Sequence, residues 1–250
     1  MRPASTAAAT LVLTVALTGS VSAAPSPAPS ATAVVAKPDV SRGPGSAPGH
    51  SLVDRLIGVH DARQVIAVTT RRYGSTHATV RAFARRSSGW VQVAGPWSAW
   101  IGRRGFAPPH RKREGDGRTP TGSYHFSFFF GVDPNPGVRF RWRHAGRFDY
   151  WDDDSASPRY NEWVDTRRHS AGRDPEPLHV RPSYEDVAAI AYNQARTPHR
   201  GSAIFLHVTH LSATSGCVAL PRPKLLTLLR WLRPGARPRI IMGRTATVTR

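Results

Sequence analysis

The sequence predicts a mainly β fold with two or three short helices, and three observations carry that expectation. Several short runs are either apolar throughout or alternate apolar with polar residues, as strands do. Only a few stretches space their apolar residues helically, and Pro and Gly punctuate the intervals. Of the 250 residues 40% are hydrophobic, enough for the core of one domain beside targeting and linker segments.

At the N-terminus Arg2 precedes an apolar run from Ala7 to Leu17, and Val21-Ser22-Ala23 supplies the small residues a signal peptidase reads. This predicts a signal peptide over 1–23, cleaved after Ala23, and a secreted, extracytoplasmic protein. The run is shorter than the roughly 20 residues a bilayer span needs, so no integral membrane span is expected after processing. Residues 24–50 are dominated by Pro, Ala, Ser and Gly and read as a linker.

The folded domain is expected over 51–243, with 244–250 as a C-terminal tail. Ser51 followed by Asp54 reads as a helix start, with Leu52, Val53, Leu56 and Ile57 as its apolar stripe. Gln64 to Thr70 is β-rich and apolar on both faces, whereas Ala78, Val80, Ala82 and Ala84 alternate with other residues. Trp90 to Val93 continues the strand pattern. From Ser123 to Phe130, alternation puts Tyr124, Phe126, Phe128 and Phe130 on one face of a single strand. A helix is predicted from Ser183, where Asp186 completes a capping box and Tyr184, Val187, Ala188 and Ala191 share a face. Another follows Pro221, with Leu225, Leu228, Leu229 and Leu232 at helical spacing; Pro234-Gly235 ends it before a last strand at Arg239 to Met242.

The formal net charge of +19 comes almost wholly from arginine, since lysine appears only as Lys37, Lys112 and Lys224. Such a charge favours polyanions, and outside the membrane these are anionic wall polymers, anionic lipid and stray nucleic acid; no specific nucleic acid is implied. Exported proteins generally pair their cysteines or lack them, yet this chain has one, Cys217. In the strand Ala203 to Val208, alternation puts Ile204, Leu206 and Val208 on one face and His207 on the other. After a polar loop, Cys217 faces opposite to Val218 and Leu220, so a short return brings it beside His207. A thiol attacks as thiolate and needs a neighbour to take its proton; an imidazole does this. Gly216 lets a carbonyl approach the backbone, whose N–H groups can steady an oxyanion.

The stretch FLHVTHLSATSGCVALP resembles the signature of the L,D-transpeptidase catalytic domain, in which a strand-borne histidine is followed by a Ser/Thr-x-Gly-Cys segment. Upstream, KREGDGRTPTG with Lys112, Glu114, Gly115, Asp116, Thr119, Pro120 and Gly122 resembles the family's turn before a central strand. The segment from Tyr150 to Trp163 resembles an aromatic and acidic loop that flanks the cleft. Together these imply the family's sandwich-like β fold and a cysteine acyltransferase acting on peptidoglycan stem peptides, with a role in wall biogenesis and cell shape.

The resemblance makes Cys217 the nucleophile and His207 its base, with Gly216 and Ser215 as oxyanion or supporting residues. Asp153, Tyr160, Asn161 and His179 are the substrate-binding candidates. Many members carry histidine where this chain has Ser215, and arginine where it has Ala219; Arg222 is a candidate replacement cation, and His210 a second candidate base. No cofactor is implied. His207, His210 and Cys217 could instead supply three zinc ligands, completed by His179 or Asp153, but strand alternation separates the two histidines, and no metal is expected. The rival functions are an L,D-carboxypeptidase or endopeptidase with the same Cys/His pair, or a noncatalytic basic wall-binding module.

Overall fold

This computed structural model describes residues 51–250, so the expected signal peptide and linker lie outside the described residues. In chain order the elements are α1 (Leu52–Arg55), β1 (Gln64–Thr70), β2 (His77–Arg86), β3 (Gly89–Trp100), β4 (Gly122–Tyr124), β5 (Phe126–Gly131), β6 (Trp142–His144), β7 (Asp149–Asp152), β8 (Glu162–Asp165), β9 (Glu176–Pro177), β10 (Val187–Ile190), β11 (Phe205–Val208), β12 (Val218–Leu220), α2 (Arg222–Trp231), β13 (Arg239–Arg244) and α3 (Thr245–Val248). The fold is mainly β, as the sequence predicts.

Ten strands form one sheet in the order β4-β13-β1-β2-β3-β12-β11-β10-β5-β6, and β8-β7-β9 form a second, smaller one. Only His125 separates β4 from β5, yet β4 lies at one edge of the large sheet and β5 next to the opposite edge. Chain continuity therefore curls the sheet until those regions approach, and the Ala191 N–H donates to the His125 carbonyl at 2.9 Å.

The curl separates two packed faces. On one, Ile66, Val68, Ile204, Leu206, Val208, Val218, Leu220, Ile240 and Met242 pack with Leu225, Leu228, Leu229 and Leu232. The predicted leucine stripe of α2 thus covers this side, and all four leucines are buried. The other face is largely aromatic, with Phe130, Trp151, Tyr184 and Phe205 around Cys217. Edge-on contacts such as Phe130 to Phe205, with centroids 5.3 Å apart, order this cluster. Val65 and Ala67 of β1, on its second apolar face, pack with Val53, Leu56, Ile241 and Val248 under the chain termini of the domain.

Two element readings are corrected. The segment from Ser183 is not a helix: turns lead into β10, which lies between β11 and β5 in the large sheet. Val187 to Ile190 are all buried because both faces of this strand are covered, and an apolar run of that length fits either a helix or a doubly buried strand. Asp186, read as a capping residue, instead accepts from Arg222 Nε at 2.6 Å. The second correction concerns Ser123 to Phe130, which is two strands. Phe126 and Phe129 join the aliphatic side, whereas Phe128 and Phe130 join the aromatic side. A register shift opposite Ala188 and Ile190 of β10 accounts for the change of phase.

The residues read as a tail also differ, since β13 runs through Arg244 and α3 follows, with Val248 4% exposed. Ser51 and Asp54 form the expected capping box at α1, the Ser51 N–H donating to Asp54 Oδ2 at 2.9 Å. Among the described residues no helix is long and apolar enough to cross a membrane.

Candidate active site

Strands β11 and β12 run parallel, with Leu206 level with Val218, His207 with Ala219 and Val208 with Leu220. Cys217 directly precedes β12, so this register sets it level with Phe205 rather than His207. Residues two apart share a face, which makes Cys217 and His207 diagonal neighbours on that face. The facing deduced from the sequence holds, while the connection is a loop between parallel strands.

Both side chains are 7% exposed. They line one cavity of about 410 Å³ with Arg103, Lys112, Glu114, Asp153, Glu176 and Tyr184. Cys217 Sγ accepts from the Phe205 N–H at 3.3 Å and donates to the Ala203 carbonyl at 3.2 Å. His207 Nδ1 lies 2.7 Å from the Val208 carbonyl oxygen. A carbonyl can only accept, so Nδ1 carries the proton and Nε2 is left with its lone pair, the form a base requires. Tyr184 packs edge-on against the imidazole, with ring centroids 5.5 Å apart.

Burial governs the electrostatics. It pushes the Cys217 thiol up, helped by the nearby Glu176 charge and opposed by the Phe205 N–H and Lys112. It lowers His207 to about 4, against the Val208 hydrogen bond that favours the charged ring. Both shifts favour a neutral thiol and a neutral imidazole at rest. A neutral pair of this kind can support attack by sulfur only with proton transfer in the same step, the imidazole serving as general base rather than as one half of a standing ion pair. Asp153 is raised to about 6 by burial and by the charge of Glu114, and Glu176 to about 7 by burial, with Asp153 and Glu114 adding to it.

Gly216 is held to glycine by the protein itself, because a Cβ there would lie 3.0 Å from the Arg118 carbonyl oxygen and 3.2 Å from Ile204 Cδ1. Its N–H donates to Thr214 Oγ1 at 3.1 Å, and Thr214 Oγ1 donates onward to the Cys217 carbonyl at 2.8 Å. Gly216 thus shapes the turn and does not offer a free N–H. The exposed Ser215 hydroxyl accepts from Arg103 Nη1 at 3.1 Å at the cavity mouth.

Of the substrate-binding candidates, only Asp153 lines the cavity. Tyr160 is buried behind it, its hydroxyl donating to Glu114 and accepting from the Gly201 N–H at 3.0 Å. Asn161 Oδ1 accepts from Trp151 Nε1 at 2.9 Å and from the Ala203 N–H at 3.2 Å, and its Nδ2 donates to the Tyr192 and Asn193 carbonyls. Tyr160 and Asn161 fasten the 150–163 segment to the residues that lead into β11. His179 is exposed, with Nδ1 2.8 Å from the Ala145 carbonyl oxygen, away from the cavity. Arg222 is also elsewhere, paired with Asp133, Glu185 and Asp186; the cavity's cations are Arg103 and Lys112. His210 stands at the rim, bonded to Ser183 Oγ. Among the described residues no cluster of His, Cys, Asp and Glu is placed to hold a metal ion.

The turn chemistry expected of KREGDGRTPTG is present. Asp116 accepts from Lys112 Nζ at 2.7 Å and from the Arg113 and Arg118 N–H groups at 2.8 Å, while Gly115 and Gly117 take φ of +66° and +65°. This presents Lys112 and Glu114 to the cavity. The sequence gives the segment a turn role only and neither residue a place on the wall; Tyr184 reads there as a helix-face residue, and Glu176 and Arg103 carry no signal.

A mainly β scaffold thus brings a thiol and an imidazole to the wall of one polar cavity. The family follows from sequence: the model of the L,D-transpeptidase catalytic domain (YkuD) matches residues 75–241, and the chain belongs to that family. Comparison with curated proteins gives no match. Among solved structures the chain is similar to the helical cell shape determining protein Pgp2 from Campylobacter jejuni, at 14% identity and a TM-score of 0.38, over 76% of this chain and 51% of that one. The chain spans about half the length of that structure.

Proposed function

We propose that the chain is an exported L,D-transpeptidase that cross-links the third residues of peptidoglycan stem peptides through a thioester on Cys217. In the first half-reaction His207 Nε2 takes the thiol proton while sulfur attacks the carbonyl of the third, L-centred residue. The C–N bond then breaks, and His207 returns the proton to the departing D-alanine amine. The Cys217 N–H is the proposed oxyanion donor, since that of Gly216 is bonded to Thr214. In the second half-reaction an amine of a neighbouring stem attacks the thioester and releases the thiol. Export rests on the signal peptide read over 1–23, and the basic surface supplies affinity for anionic wall polymers.

The observation that carries this reading is the one cavity that Cys217 and His207 both line, with His207 Nδ1 held by the Val208 carbonyl. The test is product analysis by mass spectrometry after incubating the protein with disaccharide tetrapeptides. Released D-alanine and dimers joined through third residues are expected, and neither with Cys217→Ala. D-alanine without dimers assigns water as the acceptor and makes the enzyme an L,D-carboxypeptidase. No D-alanine from folded protein overturns the reading.

A further inference from the structure

We propose that Glu176 is a second catalytic residue, which receives the ammonium of the acceptor stem and takes its proton so that the thioester is opened by an amine rather than by water. The inference rests on the thioester reading above and adds the group that reading lacks. An aliphatic amine is protonated at neutral pH, its ordinary pKa being near 10.4, and an ammonium has no lone pair with which to attack. His207 is poorly suited to receive it. It is neutral and buried, so it neither attracts a cation nor holds a proton readily, and its Nδ1 is committed to the Val208 carbonyl.

Glu176 meets the requirement by position. It ends the small sheet, with Trp151 of β7 as its register partner, and lines the same cavity as Cys217 and His207. It is close enough to sulfur for its charge to oppose ionisation of the thiol. That opposition disappears once the sulfur is acylated and can carry no charge, so the carboxylate is compatible with the intermediate. The Tyr184 hydroxyl, whose ring rests on His207, donates to Glu176 Oε1 and fixes its direction.

The other cavity carboxylates are differently placed. Glu114 Oε2 already accepts from the Tyr160 and Ser202 hydroxyls, and of the cavity carboxylates it is Glu176 whose charge bears on the Cys217 sulfur. Burial, with Asp153 and Glu114 nearby, raises Glu176 to about 7, which suits a group that must both accept and release a proton near neutrality. The remaining charged or titratable groups on the cavity wall are Arg103, Lys112 and His210.

The step balances as follows. The acceptor ammonium gives a proton to the Glu176 carboxylate, and the free amine attacks the thioester carbonyl. The C–N bond forms and the C–S bond breaks; the excess proton on nitrogen passes to His207, which returns it to the departing Cys217 thiolate. Glu176 then loses its proton to solvent, which offsets the proton that the released D-alanine amine takes up on becoming an ammonium, so the complete cross-link releases no net proton.

The test uses a stem tetrapeptide as donor and a diamino-acid stem peptide as acceptor. Mass spectrometry follows acyl-enzyme formation and the ratio of dimer to hydrolysed tripeptide from pH 5 to 9. Glu176→Gln is expected to lower that ratio about a hundredfold while slowing acylation far less, and Glu176→Asp to recover part of the loss. Tyr184→Phe keeps the ring on His207 but removes a hydrogen bond that lowers the Glu176 pKa, so the rise of the ratio with pH moves to higher pH. That variant decides the matter if Glu176→Gln does not fold. An unchanged ratio in Glu176→Gln, an equal loss of acylation and transfer, or an unshifted profile in Tyr184→Phe overturns the role. A wild type whose acyl-enzyme is only hydrolysed overturns it too and leaves the thioester standing, whereas a wild type that is never acylated overturns both.

Discussion

The two faces of β11 and β12 are built from alternate residues of the same short segments and do opposite work. Ile204, Leu206, Val208, Val218 and Leu220 point into an aliphatic layer closed by α2, with no exposure above 5%. Ala203, Phe205, His207, Cys217 and Ala219 point the other way, and four of these five, all but Phe205, border a cavity, which of the packed set Ile204 alone touches. The packed face fixes strand register through area removed from water, at about 25 cal/mol per Å². The open face uses that register to hold a thiol and an imidazole on one diagonal without filling the space substrate needs. Stability and chemistry are thus separable by side-chain parity, and substitutions on the two faces should fail in different ways.

The largest effect is expected on the open face. His207→Gln should slow acylation of Cys217 by about 10²–10⁴-fold, measured as the rate of acyl-enzyme appearance, with unfolding still cooperative. A fall of less than tenfold would point to His210 as the base. On the packed face, Leu228→Ala should cost about 2–5 kcal/mol in denaturant unfolding, yet leave the acylation rate of the folded fraction within about twofold. A folded variant that loses chemistry outright would show that the faces are coupled.

A smaller effect separates the faces by pH. His207 lies at about 4 in the folded protein against an ordinary 6.5, so the unfolded chain binds its proton more readily. Its contribution is fully present above pH 6.5 and is lost as pH falls toward 4. Wild type should therefore lose up to about 3 kcal/mol relative to His207→Gln across that window. Glu176 acts in the opposite sense. Raised from 4.5 to about 7, it favours folding below pH 4.5 and loses that contribution as pH rises through 7. Glu176→Gln should flatten the alkaline side of the stability profile. The smallest effect is expected at the cavity mouth, where Ser215→Ala removes one exposed hydrogen bond from Arg103 and should change stability by less than about 0.5 kcal/mol.

This contrast also explains what the sequence could and could not convey. Parity along Ala203 to Val208 and around Cys217 is local, so the opposed facings of Leu206 and His207 were legible, as was the leucine stripe of α2. The segment Val187 to Ile190 was not, because a strand covered on both faces loses its alternation and mimics a buried helix. The Phe126 to Phe130 pattern failed at a register shift that depends on the partner strand. Asp153 was found from its loop, but Arg103, Glu114 and Glu176 reach the cavity from three separate segments. No spacing in the chain announces that meeting, because the curl of the sheet produces it. Tyr160 and Asn161 were read as substrate-binding residues, yet neither lines the cavity; they fasten the loop to the segment that leads into β11.

The most direct test of the central claim is intact-protein mass spectrometry of the protein incubated with a carbapenem, beside Cys217→Ala and His207→Ala. A single adduct that Cys217→Ala abolishes and His207→Ala slows is the predicted result. Folded wild-type protein that gains no adduct, or one that gains it equally with Cys217 replaced, would contradict the assignment of Cys217 as a nucleophile activated by His207.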